Sequence, residues 1–377
     1  AQKAAFLEAV RAGDICLSAF YANILTGISE PEEIFHYTDY AGTLRAMYGI
    51  PLKSAMISDV PGAAWTTVTA FAQTGVRYFS SGPNFLGDKH PYHGDRVGHF
   101  VKTWGDRPVW WTSPSGEEKV LFWAAAKGYS SWHGMAAGAV FERAPRKIAA
   151  YLRELQAQNY PYDLVQWRYN IVSDNGPIDT SICRFVDQWN RKYASPTIVL
   201  NTTDRLFEAF EKKYGDHLPT VKGDITPYWE DGALSTAQEE GENRANSLRL
   251  QQLATLYAML QPERYDAGDF YEAWRSILLF HEHTWGAHNS ISSPDLPFVT
   301  EQWRIKRAYF SEGSQRIQAL EQRLFEPFRE DRSDKIAVFN TLSWPQTGLV
   351  VLSSTFPATL VKDTSGRIFP VQKLSDG

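Results

Sequence analysis

The sequence predicts an α/β protein: a parallel sheet or barrel, then a small helical bundle, then the opening strands of a β-sandwich. Three observations carry that prediction. Over residues 1–222, apolar runs of strand length alternate with amphipathic helical stretches, the pattern of βαβ units. Over residues 223–330, three long helical patterns follow one another, as in a bundle. Over residues 331–377, short apolar runs separated by turn residues take over, as in an antiparallel sandwich.

The elements are read in order. Helices are expected at residues 4–11, 31–47, 65–74, 145–158, 178–192 and 204–214. In the fourth, Pro145 suits a first turn, and Ile148, Leu152 and Leu155 recur at helical spacing. Strands are expected at residues 53–58, 76–80, 120–125, 164–172 and 197–201. A stretch rich in Gly, Pro and Asp, residues 215–232, marks the first boundary. The bundle helices are residues 233–261, 270–283 and 298–325, the first carrying Leu250, Leu253, Tyr257 and Leu260. Residues 335–339, 348–352 and 359–363 read as strands, too few to close a sandwich, so an open edge and a chain cut short are expected.

Composition narrows the function. A chain of 377 residues calls for two or three domains, and 43% apolar residues suffice for their cores. A net charge of −5 favours neither nucleic acid nor an anionic membrane. No apolar stretch approaches the roughly 20 residues that span a bilayer. Cys16 and Cys183 fit neither a disulfide framework nor a zinc finger. Aromatic residues reach 14%, with 13 Trp; such rings stack on sugars, and they also build large cores.

Asp59 is the most informative residue. It ends the first apolar strand and meets Val60-Pro61-Gly62, a turn, with a helical face beyond. That puts a carboxylate at the C-terminal end of a strand, where α/β folds bind ligands and do chemistry. An aspartate that merely caps the turn leaves the same pattern. Asp174 repeats the logic in Ser173-Asp174-Asn175-Gly176-Pro177, with Asp179 as its rival. Two carboxylates on one rim are the minimum for glycoside hydrolysis. His281-Glu282-His283 and His288 cluster after a helix, where imidazoles hold zinc or face the helix dipole. His90, His93 and His99 lie in a Gly- and Pro-rich loop after Asn84. There is no phosphate loop and no Gly-x-Ser-x-Gly elbow.

Several of these segments resemble one family in order along the chain. Residues 54–85, SAMISDVPGAAWTTVTAFAQTGVRYFSSGPNF, are similar to the nucleophile region of bacterial α-mannosidases of glycoside hydrolase family 38. Gly223-Asp224-Ile225-Thr226-Pro227-Tyr228-Trp229 resembles the start of that family's middle domain. His283-Thr284-Trp285-Gly286 resembles its zinc-histidine segment, and Val338-Phe339-Asn340-Thr341-Leu342-Ser343-Trp344 its entry to the β domains.

The resemblance implies an incomplete seven-stranded β/α barrel, a three-helix middle domain and the first strands of a β-sandwich. It implies retaining cleavage of α-mannosides with bound Zn2+. Asp59 is then nucleophile and metal ligand, His283 a second ligand, and Asp174 the general acid. Trp65, Asn84 and Trp285 are the candidate substrate contacts, with Trp110, Trp111, Trp123 and Trp132 as further sugar platforms.

The chain also departs from the family. Ser173-Asp174-Asn175 stands for its Gly-Asp-Asp, Val60 and Pro61 follow Asp59 where many eukaryotic members have Pro-Phe, and Thr284 replaces an Asp. No His-x-Asp precedes Asp59, so the first barrel strand and two zinc ligands are expected upstream of Ala1. A barrel short of one strand has open edges, which favours a homo-oligomer. Two other readings stay open. One is a metal-dependent amidohydrolase or deacetylase using His281 and His283 on a strand, although both read as helix here. The other is a non-catalytic sugar-binding relative.

Overall fold

In the computed structural model the residues described are 2–60, 62–83, 104–125, 128, 136–172, 176–225, 230, 233, 236–284, 289–290, 292–328, 335–352 and 360–372. Helix α1 (Gln2–Ala12) leads through irregular backbone to α2 (Pro31–His36) and α3 (Asp39–Tyr48). One helix was expected over 31–47. It breaks at Thr38, whose hydroxyl donates to Phe35 O at 2.7 Å and so competes with helical pairing.

Strand β1 (Ser54–Asp59), helix α4 (Thr67–Gln73) and strand β2 (Tyr78–Pro83) form the expected βαβ unit. The strands are parallel, with Ser54 opposite Tyr78 and Asp59 opposite Pro83. Helix α4 buries Val68, Ala70 and Phe71 against the sheet, and Phe71 meets the rings of Phe20 and Phe79 edge-on. Strand β3 (Val109–Thr112) pairs antiparallel with β4 (Lys119–Ala124), whose other edge lies parallel to β2. Helices α5 (Val140–Ala157), α6 (Ser181–Lys192) and α7 (Thr203–Tyr214) follow, and β5 (Thr220–Val221) pairs with β3. The sheet is thus five-stranded and mixed, in the order β1-β2-β4-β3-β5.

Further expectations need correcting. Residues 164–172 and 197–201 form no ladder among the described residues. Their polar groups are met by side chains instead: Gln166 and Arg168 reach Ser80, and the Asn190 amide brackets the backbone of Ile198 at 2.8 and 2.9 Å. Strand β3 was not foreseen, because Trp110 and Trp111 read as ligand platforms. Trp111 is 0% exposed and its Nε1 donates to Gly223 O at 2.9 Å. Trp123 likewise donates to Asp106 and Trp110 to Gly215 O, so these three indoles belong to the scaffold. Helix α5 starts ahead of Pro145, which costs it one internal bond rather than opening it.

Truncating Trp111 should expose how much of the sheet depends on this layer. The ring packs on Phe79 and Phe122 at centroid distances of 6.4 and 5.5 Å. Trp111→Ala is expected to cost about 3–5 kcal/mol in urea unfolding. A loss below about 1 kcal/mol would show that the ring is not a core element.

Helices α8 (Ala237–Leu260), α9 (Ala267–Phe280) and α10 (Pro297–Phe325) make the expected bundle. Their shared core includes Leu250, Tyr257, Phe270, Ile277, Ile317 and Leu324. Asp266 caps α9 by accepting from the N–H groups of Gly268 and Asp269. Helix α9 stops at Phe280, before the residues expected to end it, so His281 and His283 lie beyond the helix. Of the C-terminal strands, only the third is paired among the described residues, as β6 (Val361–Lys362) with β7 (Ile368–Phe369). No helix among the described residues is long and apolar enough to cross a membrane.

Candidate active site

The site begins with backbone geometry. Asp59, the last residue of β1, has φ 77°, the left-handed region that L-residues other than Asn and Asp seldom enter. The twist takes its carboxylate off the regular alternation of the strand. Oδ2 stands 3.0 Å from Nε2 of His283, and Oδ1 is buried with no hydrogen-bond partner among the described residues. The two residues are separated by 224 positions in the chain.

His283 reaches Asp59 because the backbone after α9 turns extended. Ile24 and Glu282 form an antiparallel bridge, His283 N donates to Asn23 O at 2.9 Å, and Leu25 N donates to His281 O at 2.9 Å. Glu282 Oε1 lies 2.6 Å from Nδ1 of His283, off hydrogen-bond alignment, so Coulomb attraction carries that contact. Buried Lys306, from α10, donates to Glu282 Oε2 at 2.9 Å and to Glu282 O at 2.7 Å. Burial pushes the His283 imidazolium toward losing its proton, but Asp59 and Glu282 outweigh it and pull the pKa up to about 9. Burial likewise opposes the Glu282 charge, yet His283 and Lys306 hold its pKa far below the carboxylate range.

His281 does not join this site. It caps α9 in a non-extended conformation, so it and His283 point apart. It is 0% exposed, with Nδ1 2.8 Å from Glu33 Oε2 and Nε2 2.9 Å from Glu240 Oε1. Burial opposes its charge, but the two glutamates win and raise its pKa to about 10. Both ring nitrogens are therefore engaged away from His283, which removes the geometry that a paired His-x-His metal site needs.

Arg168 anchors the end of β1. Its guanidinium donates to Ile57 O, Ser58 Oγ and Ser80 Oγ at 3.4, 3.3 and 2.9 Å, and burial lowers its pKa to about 10. Asp179 accepts from Tyr169 OH at 2.6 Å and from Ser181 N at 3.0 Å. Burial raises its pKa, but these bonds prevail and lower it, the reverse of what a proton donor requires. Trp65 is a half-buried ring whose Nε1 donates to Thr112 O at 2.7 Å, at the foot of the loop after Asp59. Asp174, Asn84, Trp285, Trp132, His90, His93, His99 and His288 lie outside the described residues.

As metal donors, Asp59 and His283 fit in part. Their O and N atoms suit zinc chemistry, and the unpartnered Oδ1 has capacity for a cation. Among the described residues no group of three or more His, Cys, Asp or Glu is arranged to hold a metal. Sequence reasoning had found Asp59 and His283 but not Asn23, Glu33, Glu240, Arg168 or Lys306. None of those five left a local signal, whereas Glu282, lying between two histidines, did.

A mixed α/β sheet beside a three-helix bundle is a fold shared with solved glycoside hydrolases. An α-mannosidase from Enterococcus faecalis V583 superposes with a TM-score of 0.62 at 17% identity, over 87% of this chain and 35% of that one. A family 38 glycosyl hydrolase from Enterococcus faecalis gives 0.59 at 14% identity, over 87% of this chain and 33% of that one. A family 57 branching enzyme from Thermococcus kodakaraensis gives 0.50 at 12% identity, over 86% and 69% of the respective chains. The likeness is one of fold, and the chain spans about a third of the length of the two enterococcal proteins. No model of a known protein family matches the chain, and neither does any curated protein.

Proposed function

We propose that this chain is the catalytic part of a retaining glycoside hydrolase acting on α-mannosides, with Asp59 as its nucleophile. One observation carries the reading: a buried carboxylate oxygen with no partner among the described residues, on a left-handed residue at the end of a strand. Stored backbone strain and an unmet acceptor cost stability, and such features concentrate at functional sites. The fold likeness to the enterococcal α-mannosidase supports the substrate class.

In this reading Asp59 attacks the anomeric carbon while Asp174 protonates the departing glycosidic oxygen. Water, deprotonated by Asp174, then releases the sugar from Asp59 with its anomeric configuration retained. Such a pair of carboxylates works at a separation of about 5–5.5 Å. Arg168, donating to Ile57 O and Ser58 Oγ, steadies the strand end that carries the nucleophile. Asp59 and His283 would hold a zinc ion, which when bound polarises sugar hydroxyls and favours a distorted ring. Glu282, paired with Lys306, sets a negative charge 2.6 Å from the far ring nitrogen of His283.

The test uses aryl glycosides with the chain and with a version extended upstream. Hydrolysis of the α-mannoside, with the α-anomer as first product by NMR, is expected of at least the extended protein. Cleavage with inversion, or of amides and esters but no glycoside, would overturn the reading. Binding of mannosides without turnover by both proteins would favour a sugar-binding relative instead.

A further inference from the structure

Residues 18–26 run along the outer edge of β1 as a strap rather than a regular strand. Ala19 N donates to Ser54 O at 2.8 Å, and Ser18 Oγ accepts from Met56 N at 3.1 Å. Further on, Asn23 Oδ1 accepts from Ser58 N at 3.0 Å and Thr26 Oγ1 accepts from Ala64 N at 2.8 Å. The strap therefore grips both ends of the loop that carries Asp59. Its other side grips the segment after α9, with Asn23 O accepting from His283 N at 2.9 Å.

Asn23 thus touches both halves of the site at once. Its side chain fixes the Ile57–Ser58 peptide, one short of the peptide that enters Asp59, and its backbone carbonyl fixes the peptide of His283. The left-handed turn at Asp59 can aim the carboxylate at Nε2 only if the Ser58 N–H stays where it is. An apolar side chain at position 23 keeps the backbone bond to His283 but drops the one to Ser58, leaving that N–H without its acceptor. Ser18 provides the contrast: it grips the same strand two residues earlier, at Met56, and touches neither site residue.

We propose that Asn23 is a positioning residue that sets the Asp59–His283 pair for metal binding; this rests on the reading of those two residues as metal ligands. The experiment measures the dissociation constants of zinc(II) and cobalt(II) alone, the cobalt visible spectrum, and the thermal midpoint. It compares the full chain, and its upstream-extended version, with Asn23→Leu, Asn23→Asp, Ser18→Ala and His283→Ala. Asn23→Leu is expected to weaken metal binding roughly 10–100-fold, the range for residues that orient a ligand. Its thermal midpoint should fall no further than that of Ser18→Ala. Asn23→Asp, which keeps the acceptor, should bind within a few-fold of the parent.

Parent-like binding by Asn23→Leu, with binding lost in His283→Ala, overturns the positioning role and leaves the metal reading intact. Equal weakening in Asn23→Asp and Asn23→Leu also overturns it, because the acceptor would not be what matters. Absence of metal binding in every protein, the extended parent included, overturns the ligand reading and the role of Asn23 with it. Should Asn23→Leu not fold, Asn23→Ser, whose hydroxyl stops short of Ser58 N, gives the same readout.

Discussion

Asp59→Asn is expected to abolish glycoside turnover while leaving the fold intact. Asparagine has the shape of aspartate and is among the few residues at ease with a positive φ, so the turn at 77° survives the change. An amide oxygen cannot form the glycosyl ester, so kcat/KM should drop by roughly 10⁴–10⁶-fold, the scale seen when a hydrolase loses its nucleophile or a partner of it. The thermal midpoint should fall modestly, because Oδ2 gives up its charged contact with His283 while Oδ1 has no partner among the described residues to lose. A variant that keeps more than about a hundredth of the parent activity would remove Asp59 from the chemistry.

His281→Ala should give the largest loss of stability of any single change near the site. The imidazolium joins Glu33 on α2, itself 0% exposed, to Glu240 on α8. Ser29 Oγ and Asn243 Nδ2 stand 3.3 Å from its two nitrogens, and Tyr37 OH bonds Ser29 at 2.8 Å. Removing the ring leaves two carboxylates buried without the cation between them, a change that costs about 3–5 kcal/mol when a buried ion pair is broken from one side. Denaturant unfolding followed by tryptophan fluorescence reads the loss. Adding Glu33→Gln to His281→Ala should recover part of it, since one buried charge is then gone. A loss under about 1 kcal/mol for His281→Ala alone would show that the contacts are not coupled as described.

Much of this was legible from local pattern. An apolar strand stopped by Asp59, Pro61 and Gly62 shows where a carboxylate meets a rim, and β1, β2 and β4 fall where apolar runs predict them. The three bundle helices follow from leucine spacing and agree within a few residues. What failed to show had a physical reason each time. The extended stretches at 164–172 and 197–201 satisfy their backbone through Asn190 and their polar side chains through Ser80, and a strand pattern cannot reveal that exchange.

The tryptophans misled because composition counts rings without saying which way they face; Trp111 and Trp123 lie inside with their N–H groups paired. The His-x-His motif misled because the helix ends at Phe280, so spacing that suits a strand carries one ring into the domain core and the other to Asp59. Glu33 left no signal at all, since its partner His281 lies 248 positions away, and neither did Asn23, whose ties to Ser58 and His283 join separate segments of the chain.

The most direct measurement is covalent trapping of the glycosyl-enzyme. A fluorinated α-mannosyl fluoride slows release of the sugar more than its transfer, so the ester accumulates on the nucleophile and can be located by peptide mass mapping. The proposed mechanism predicts one added fluoromannosyl group on the peptide spanning Asp59, and none in Asp59→Asn. Label on a different carboxylate, or turnover with no trapped ester, would contradict Asp59 as the nucleophile of a retaining enzyme.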